Sequence, residues 1–501
     1  MPFSRASGIL LHPTSFPGRF GIGDLGLEAY RFVDFLVESA QQLWQILPLG
    51  PTGDSNSPYA SYSAIAGNPL LISPEVLRND GLLANVNLAN LPEFETEKVD
   101  FEQVIQTKMP LLRKACENFK ANDSSVEQKE FSGFCESQAY WLDDYALFMA
   151  LKDAHRGASW NVWEPQIAQR QPEAIKQWQR RLSAEIFYYK YLQFEFFRQW
   201  SELKRYANMR GIEIIGDISF YVAYDSADVW ANPENFCLDQ QTGKPALMAG
   251  TPPDHFSATG QLWGNPVYDW QHHLQQHFKW WVQRFQAMLN YVDLIRIDHF
   301  RGFQAYWALK QGETTAINGE WIETPGEAFF KVLKQNLGFL PIIAEDLGEI
   351  TAEVEALRDQ FEFPGMKILQ YALGSEPDSR YLPFNYQCNC VVYTGTHDND
   401  TIVGWFNQLS PQERETVRRY LGCTSQSGIH WDMIRLAHSS VASRAIIPLQ
   451  DILGLDNIAR MNFPGKNEGN WGWRYQSQAL TPLVRDRLKT MTETYDRAPI
   501  P

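Results

Sequence analysis

The chain lacks any apolar run close to the ~20 residues that a membrane-spanning helix needs. It also lacks any block of consecutive basic residues, and 44 Lys and Arg against 59 Asp and Glu leave a net charge of −15. Such a surface repels nucleic-acid phosphates and anionic lipid, so neither nucleic acid nor membrane is an expected partner, and a neutral substrate fits better than a polyanion. Cysteine is scarce, six in 501 residues, and the only close pair, Cys388-Asn389-Cys390, has neither zinc nor redox spacing. Scattered thiols in a chain this long read as reduced, and the amino-terminal stretch has neither a long apolar core nor an Arg/Ser-rich transit character. A cytoplasmic protein without metal or cofactor is the expectation. Internal repeats and low-complexity tracts are absent too, and nothing indicates an oligomeric state.

What is plentiful is aromatic: 17 Trp, 21 Tyr and 30 Phe. Much of that is core, but a surplus of Trp and Tyr also supplies flat, amphipathic faces on which sugar rings stack. Short apolar runs ending in polar residues recur at Gly8–Leu11, Leu43–Leu47, Ile212–Asp217, Val292–Asp298, Pro341–Glu345, Met366–Tyr371, Cys390–Thr394 and Ala445–Gln450. Helical patterns separate most of them. One carries Ala29, Phe32, Val33 and Leu36, and another starts at Ser410-Pro411-Gln412-Glu413 with the residues of a capping box. Eight strands alternating with helices predict an α/β chain closed into a (β/α)₈ barrel. The exception lies between the second and third strands. Residues 70–205 read as a helical insertion carried on a barrel of residues 1–69 and 206–501. Asp100-x-x-Gln103 and Ser124-x-x-Glu127 resemble capping boxes there, and Tyr189, Leu192, Phe196, Trp200 and Leu203 repeat at helical spacing.

Three segments carry chemistry. In Asp293-Leu-Ile-Arg296-Ile-Asp298, residues two apart share a strand face, so Arg296 and Asp298 point the same way. An Arg beside an Asp at the carboxyl end of a barrel strand keeps that carboxylate ionised, as a nucleophile requires, although a structural ion pair gives the same pattern. Ile342-Ile-Ala-Glu345 again ends an apolar strand in a carboxylate, which desolvation would turn into a proton donor; capping the next helix is the alternative. Thr394-Gly-Thr396-His397-Asp398 follows a third strand, and a turn rich in Asp and Asn would look the same. Three carboxylates at three strand ends converge on one face of a barrel. Cleavage of a glycoside with retention needs two of them, a nucleophile and an acid/base. Gly21-Ile-Gly23-Asp-Leu-Gly26 matches a dinucleotide fingerprint in letters only, since Phe16-Pro17-Gly18 rather than a strand precedes it.

The segments RIDHFRGF, AEDLG and GTHDNDT resemble the signatures of the amylomaltases, or disproportionating enzymes, of the α-amylase group. The resemblance extends through GILLHPTSFPGRFGIGDLG, LWQILPLGPTGDSNSPYASYSAIAGNP, GTPPDHFSATGQLWGNPVYDW and RMNFPG, and so spans nearly the whole chain. It implies a retaining 4-α-glucanotransferase that moves α-1,4-glucan segments from a donor to a sugar acceptor through a covalent glycosyl-enzyme. By the same resemblance Asp298 is the nucleophile, Glu345 the acid/base, and Asp398 a residue that grips sugar hydroxyls in the transition state. Ser57, Tyr59, Asp217, Asp254, Trp263, Arg296 and His397 match substrate-binding positions. Asp217 is followed here by Ile-Ser-Phe-Tyr rather than the Asn-His pair of ordinary amylases, which argues against their calcium site. Two other readings stand beside this one: a hydrolase of α-1,4-glucans, and a non-catalytic barrel that binds carbohydrate.

Overall fold

Twelve strands form among the described residues of the computed structural model, which are 4–499 without 54, 123–124, 254–256, 374–375, 378, 423–427 and 467. They are β1 Ala6–Leu10, β2 Leu43–Gln45, β3 Glu213–Ile218, β4 Leu247–Thr251, β5 Gln261–Pro266 and β6 Leu294–Ile297. There follow β7 Ala305–Lys310, β8 Glu320–Glu323, β9 Ile342–Ala344, β10 Gly365–Ile368, β11 Cys390–Tyr393 and β12 Arg444–Pro448. Eight of them, β1, β2, β3, β6, β9, β10, β11 and β12, close in that order into a parallel barrel, and they are the eight apolar runs read from the sequence. The run expected to reach Tyr371 stops sooner, because Leu369–Tyr371 turns into a 3₁₀ helix.

Alternation along each strand sorts side chains to the two sides of the barrel wall. Trp44 on β2 packs outward against Phe16, Phe32 and Trp200. The next residue, Gln45, points inward, where its Oε1 accepts a 2.8 Å hydrogen bond from the Tyr393 hydroxyl on non-adjacent β11. The helix Leu27–Glu38 buries Ala29, Phe32, Val33 and Leu36, and Ser410 and Glu413 form the reciprocal capping box that their spacing predicts. Between β2 and β3 the chain is mainly helical, and the helix Ser183–Met209 buries Tyr189, Leu192, Phe196, Trp200 and Leu203 before delivering the chain to β3. Only half of the expected box at Asp100 forms. Asp100 accepts from the Gln103 backbone, but the Gln103 side chain reaches Glu93 instead. Ser124 of the other predicted box lies outside the described residues.

The Gly21–Gly26 loop follows a 3₁₀ turn, Pro13–Ser15, rather than a strand. A Cβ at Gly23 would sit 2.0 Å from the Pro13 carbonyl oxygen, so close packing demands the glycine. Asp24 accepts from Gly26 N at 2.9 Å and faces the buried Lys108 ammonium at 3.5 Å, on the helix Phe101–Ala121.

The segments following β3 and β6 join in a four-stranded antiparallel sheet, ordered β5-β4-β7-β8. Its strands are short and interrupted by Gly250, Gly264 and Pro266, and two come from each of two separate loops, so no local alternation announces them. The sheet matters because β5 carries Trp263. Among the described residues, no helix is long and apolar enough to cross a membrane.

Candidate active site

Register builds the first half of the site. Asp217 on β3 is the cross-strand partner of Arg296 on β6, and Arg296 donates to Asp217 Oδ2 at 2.6 Å. The other arm of the guanidinium lies 3.1 Å from Asp298 Oδ1, one residue beyond the end of β6. Arg296 and Asp217 are buried, whereas the Asp298 side chain is 31% exposed and open to a substrate. On the other side of β6, Ile297 pairs with Ala344 of β9, which sets Asp298 and Glu345 next to one another at the strand mouths.

The Glu345 carboxylate is fixed by two backbone donors. His299 N–H donates to Oε2 at 2.7 Å and Leu347 N–H to Oε1 at 2.9 Å. His299 reaches it because it adopts a left-handed conformation, φ 54°, rare for a residue with a Cβ and characteristic of strained functional turns. Burial pushes the Glu345 carboxyl up to about 7, with the Asp298 charge adding to the shift and Arg296 opposing it. Burial likewise raises Asp217 against the pull of Arg296.

The third motif leaves β11 and is clamped from far along the chain. Asn462 donates to Asp398 Oδ1 at 2.6 Å, and Arg460 donates to the Asp398 backbone carbonyl at 2.6 Å. His397 Nε2 lies 3.4 Å from Asp398 Oδ2, and burial lowers the imidazole's pKa. Its ring stacks on Tyr59, with centroids 5.2 Å apart and planes 14° from parallel, and Trp471 packs against both rings. The Tyr59 hydroxyl donates to Asp217 Oδ2 at 2.8 Å, tying this group to Arg296.

The structure thus brings Tyr59, Asp217, Arg296, Asp298, Glu345, His397 and Asp398 into one site. Trp263 borders it, 38% exposed and edge-on to His299 with centroids 5.0 Å apart. The Ser57 hydroxyl accepts from Tyr59 N at 3.3 Å, so within the chain it shapes the loop that presents the tyrosine. Asp254 lies outside the described residues. Sequence reasoning missed His299, Arg460, Asn462 and Trp471. Two of these, His299 and Trp471 (φ 65°), hold left-handed backbones that no glycine advertises, and the other two act across more than sixty residues of chain. A buried carboxyl poised near neutrality, a partly exposed carboxylate facing a guanidinium, and a third carboxylate on a rigid loop together suit proton transfer coupled to nucleophilic attack.

The model of a family described as 4-alpha-glucanotransferase matches residues 11–481. The chain is 57% identical over 495 residues to the 4-alpha-glucanotransferase of Synechocystis sp., covering 98% of each chain. It is 46% identical to the 4-alpha-glucanotransferase of Thermus thermophilus, over 99% of this chain and 100% of that one. Among solved structures, an amylomaltase from Streptococcus agalactiae in complex with acarbose aligns with a TM-score of 0.96 at 40% identity, covering 99% of this chain and 100% of that one.

Proposed function

The chain belongs to the 4-alpha-glucanotransferase family, and on that premise we propose that Asp298 and Glu345 carry the transfer. Glu345, protonated near neutral pH, gives its proton to the glycosidic oxygen while an Asp298 oxygen attacks the anomeric carbon. The donor's trailing sugars leave, and the retained segment stays on Asp298 as a glycosyl ester. An acceptor hydroxyl then loses its proton to Glu345, attacks the same carbon and releases Asp298. Asp398 with His397, and Tyr59 with Asp217, hold sugar hydroxyls beside the reacting carbon. Trp263, and Asp254 by resemblance, bind sugar rings farther out. The observation that carries this reading is the joint placement of Asp298 against Arg296 and of Glu345 against His299 N, with Glu345 pushed up to about 7.

The same reading makes the substrates an α-1,4-glucan donor and a glucose or glucan acceptor, and the location cytoplasmic. The thiol state of Cys116, Cys135, Cys237, Cys388 and Cys390 supports that location. It also treats residues 70–205 as an insertion subdomain on a barrel of 1–69 and 206–501, supported by the helices between β2 and β3. Incubation with pure maltotriose tests the activity. Longer and shorter glucans together mean transfer, shorter sugars alone mean hydrolysis, and an unchanged trisaccharide contradicts both.

A further inference from the structure

The chain leaving β1 reaches the third motif from behind. His12 and Ser15 bracket the 3₁₀ turn Pro13–Ser15, and both line a cavity of about 30 Å³ together with Thr396, His397, Asp400 and Arg460. One buried water needs roughly 10–15 Å³ and several polar partners. Three such partners are present. His12 Nδ1, Ser15 Oγ and His397 Nδ1 are buried without a hydrogen-bond partner among the described residues, and their residues are 5%, 1% and 5% exposed. Buried polar atoms are rarely left in that condition, so three of them on residues that line one cavity point to solvent as the shared partner.

The other edge of His397 constrains the proton. Its Nε2 lies 3.4 Å from Asp398 Oδ2, and the carboxylate's charge draws a proton toward that nitrogen without fixing it there. Burial disfavours a second proton on His397, and it holds His12 down to about 3, so both rings are neutral at neutral pH. In the Nε2–H form, His397 Nδ1 is a bare acceptor that needs a donor.

We propose that a water buried between His12, Ser15 and His397 donates an O–H to His397 Nδ1, and that His12 is a positioning residue which holds that water. The water thereby fixes His397 as the Nε2–H tautomer, with the proton turned toward Asp398 and the sugar it grips. The His12 ring and the Ser15 hydroxyl supply two further partners, giving the water the three hydrogen bonds typical of a buried site. This inference rests on the placement of His397 in the sugar site argued above.

Nitrogen-15 chemical shifts of His397, identified by their loss in His397→Gln, read the tautomer without reference to turnover. Wild-type protein should show a single Nε2–H form. In His12→Phe, which keeps a ring but offers no acceptor, the two tautomers should mix, and kcat on maltotriose should fall about tenfold with little change in KM. Ser15→Ala should move both readouts the same way by less, and it carries the test should His12→Phe fail to fold. A pure Nε2–H tautomer in folded variants overturns the proposal. A mixed tautomer with unchanged kcat upholds the water site and faults the placement of His397 at the reacting sugar, so the two ideas fail separately.

Discussion

Asp298→Asn keeps the shape of the side chain and removes the oxygen proposed to attack the sugar, so turnover should drop by about 10⁴-fold or more while the melting temperature holds. Glu345→Gln should be nearly as inactive on glucans, yet regain part of its activity with a donor whose leaving group needs no proton. The same carboxyl should write the alkaline limb of the pH profile. With Glu345 pushed up to about 7 from 4.5, kcat falls as pH rises through about 7, and that limb vanishes in the rescued Glu345→Gln reaction. Stability follows with the opposite convenience. The native carboxyl keeps a proton that the unfolded chain has already shed, so stability falls as pH rises from the unfolded value toward about 7. Glu345→Gln should therefore gain on wild type in denaturant midpoint between pH 4 and pH 8, by about 3 kcal/mol at most. At Trp263 the question is transfer against hydrolysis. Its half-exposed ring beside His299 suits an acceptor sugar, so Trp263→Ala should raise the ratio of released glucose to ladder products; an unchanged ratio in folded protein removes it from the acceptor site. The three carboxylates were legible in the sequence because each ends an apolar strand. Their supports were not. Asn462 and Arg460 reach Asp398 through folding alone, and the left-handed backbones of His299 and Trp471 leave no mark in residue type.

At the scale of elements, the turn after β9 sets Glu345 through its neighbour Asp346. The Asp346 carboxylate is fully buried and accepts from Met366 N at 2.7 Å, from Arg380 at 2.6 Å and from Arg358. Gly365, which opens β10, makes room for it: an added Cβ would lie 2.4 Å from Asp346 Oδ2. Gly365→Ala should cost about 1–3 kcal/mol and lower kcat more than it raises KM, since displacing Asp346 moves the adjacent acid/base. A variant as stable and active as wild type would show that the turn yields freely. Barrel strands such as β9 and β11 could be read from the sequence because both faces are buried, which makes them short continuous apolar runs. The sheet of β4, β5, β7 and β8 could not. Its residues mix apolar, small and charged types, Pro266 sits on its edge strand, and β4 finds β7 across the whole of β6. The helix Ser183–Met209 shows the converse case, a periodicity long enough to identify itself without any tertiary help.

For the whole molecule, the net charge of −15 and the aromatic content pointed to a neutral, ring-shaped ligand before any site was assigned. Covalent glycosyl chemistry on carboxylates needs no metal, so activity should survive exhaustive chelation; a large loss restored by calcium would contradict the reading. Water is in great excess over any sugar acceptor, so transfer must win by positioning and exclusion. The antiparallel sheet bearing Trp263, beside His299, and the Tyr59–His397–Trp471 ring cluster bring aromatic rings to the site. All of this depends on a sugar becoming bonded to one particular carboxylate. Mass spectrometry of Glu345→Gln protein mixed with an α-maltosyl fluoride tests that claim most directly, because the fluoride leaves unaided and the crippled acid/base slows release of the ester. The account predicts a protein heavier by one maltosyl unit, with the added mass mapped to the peptide containing Asp298. No adduct under turnover conditions, or an adduct mapped to Asp217 or Asp398, would contradict it.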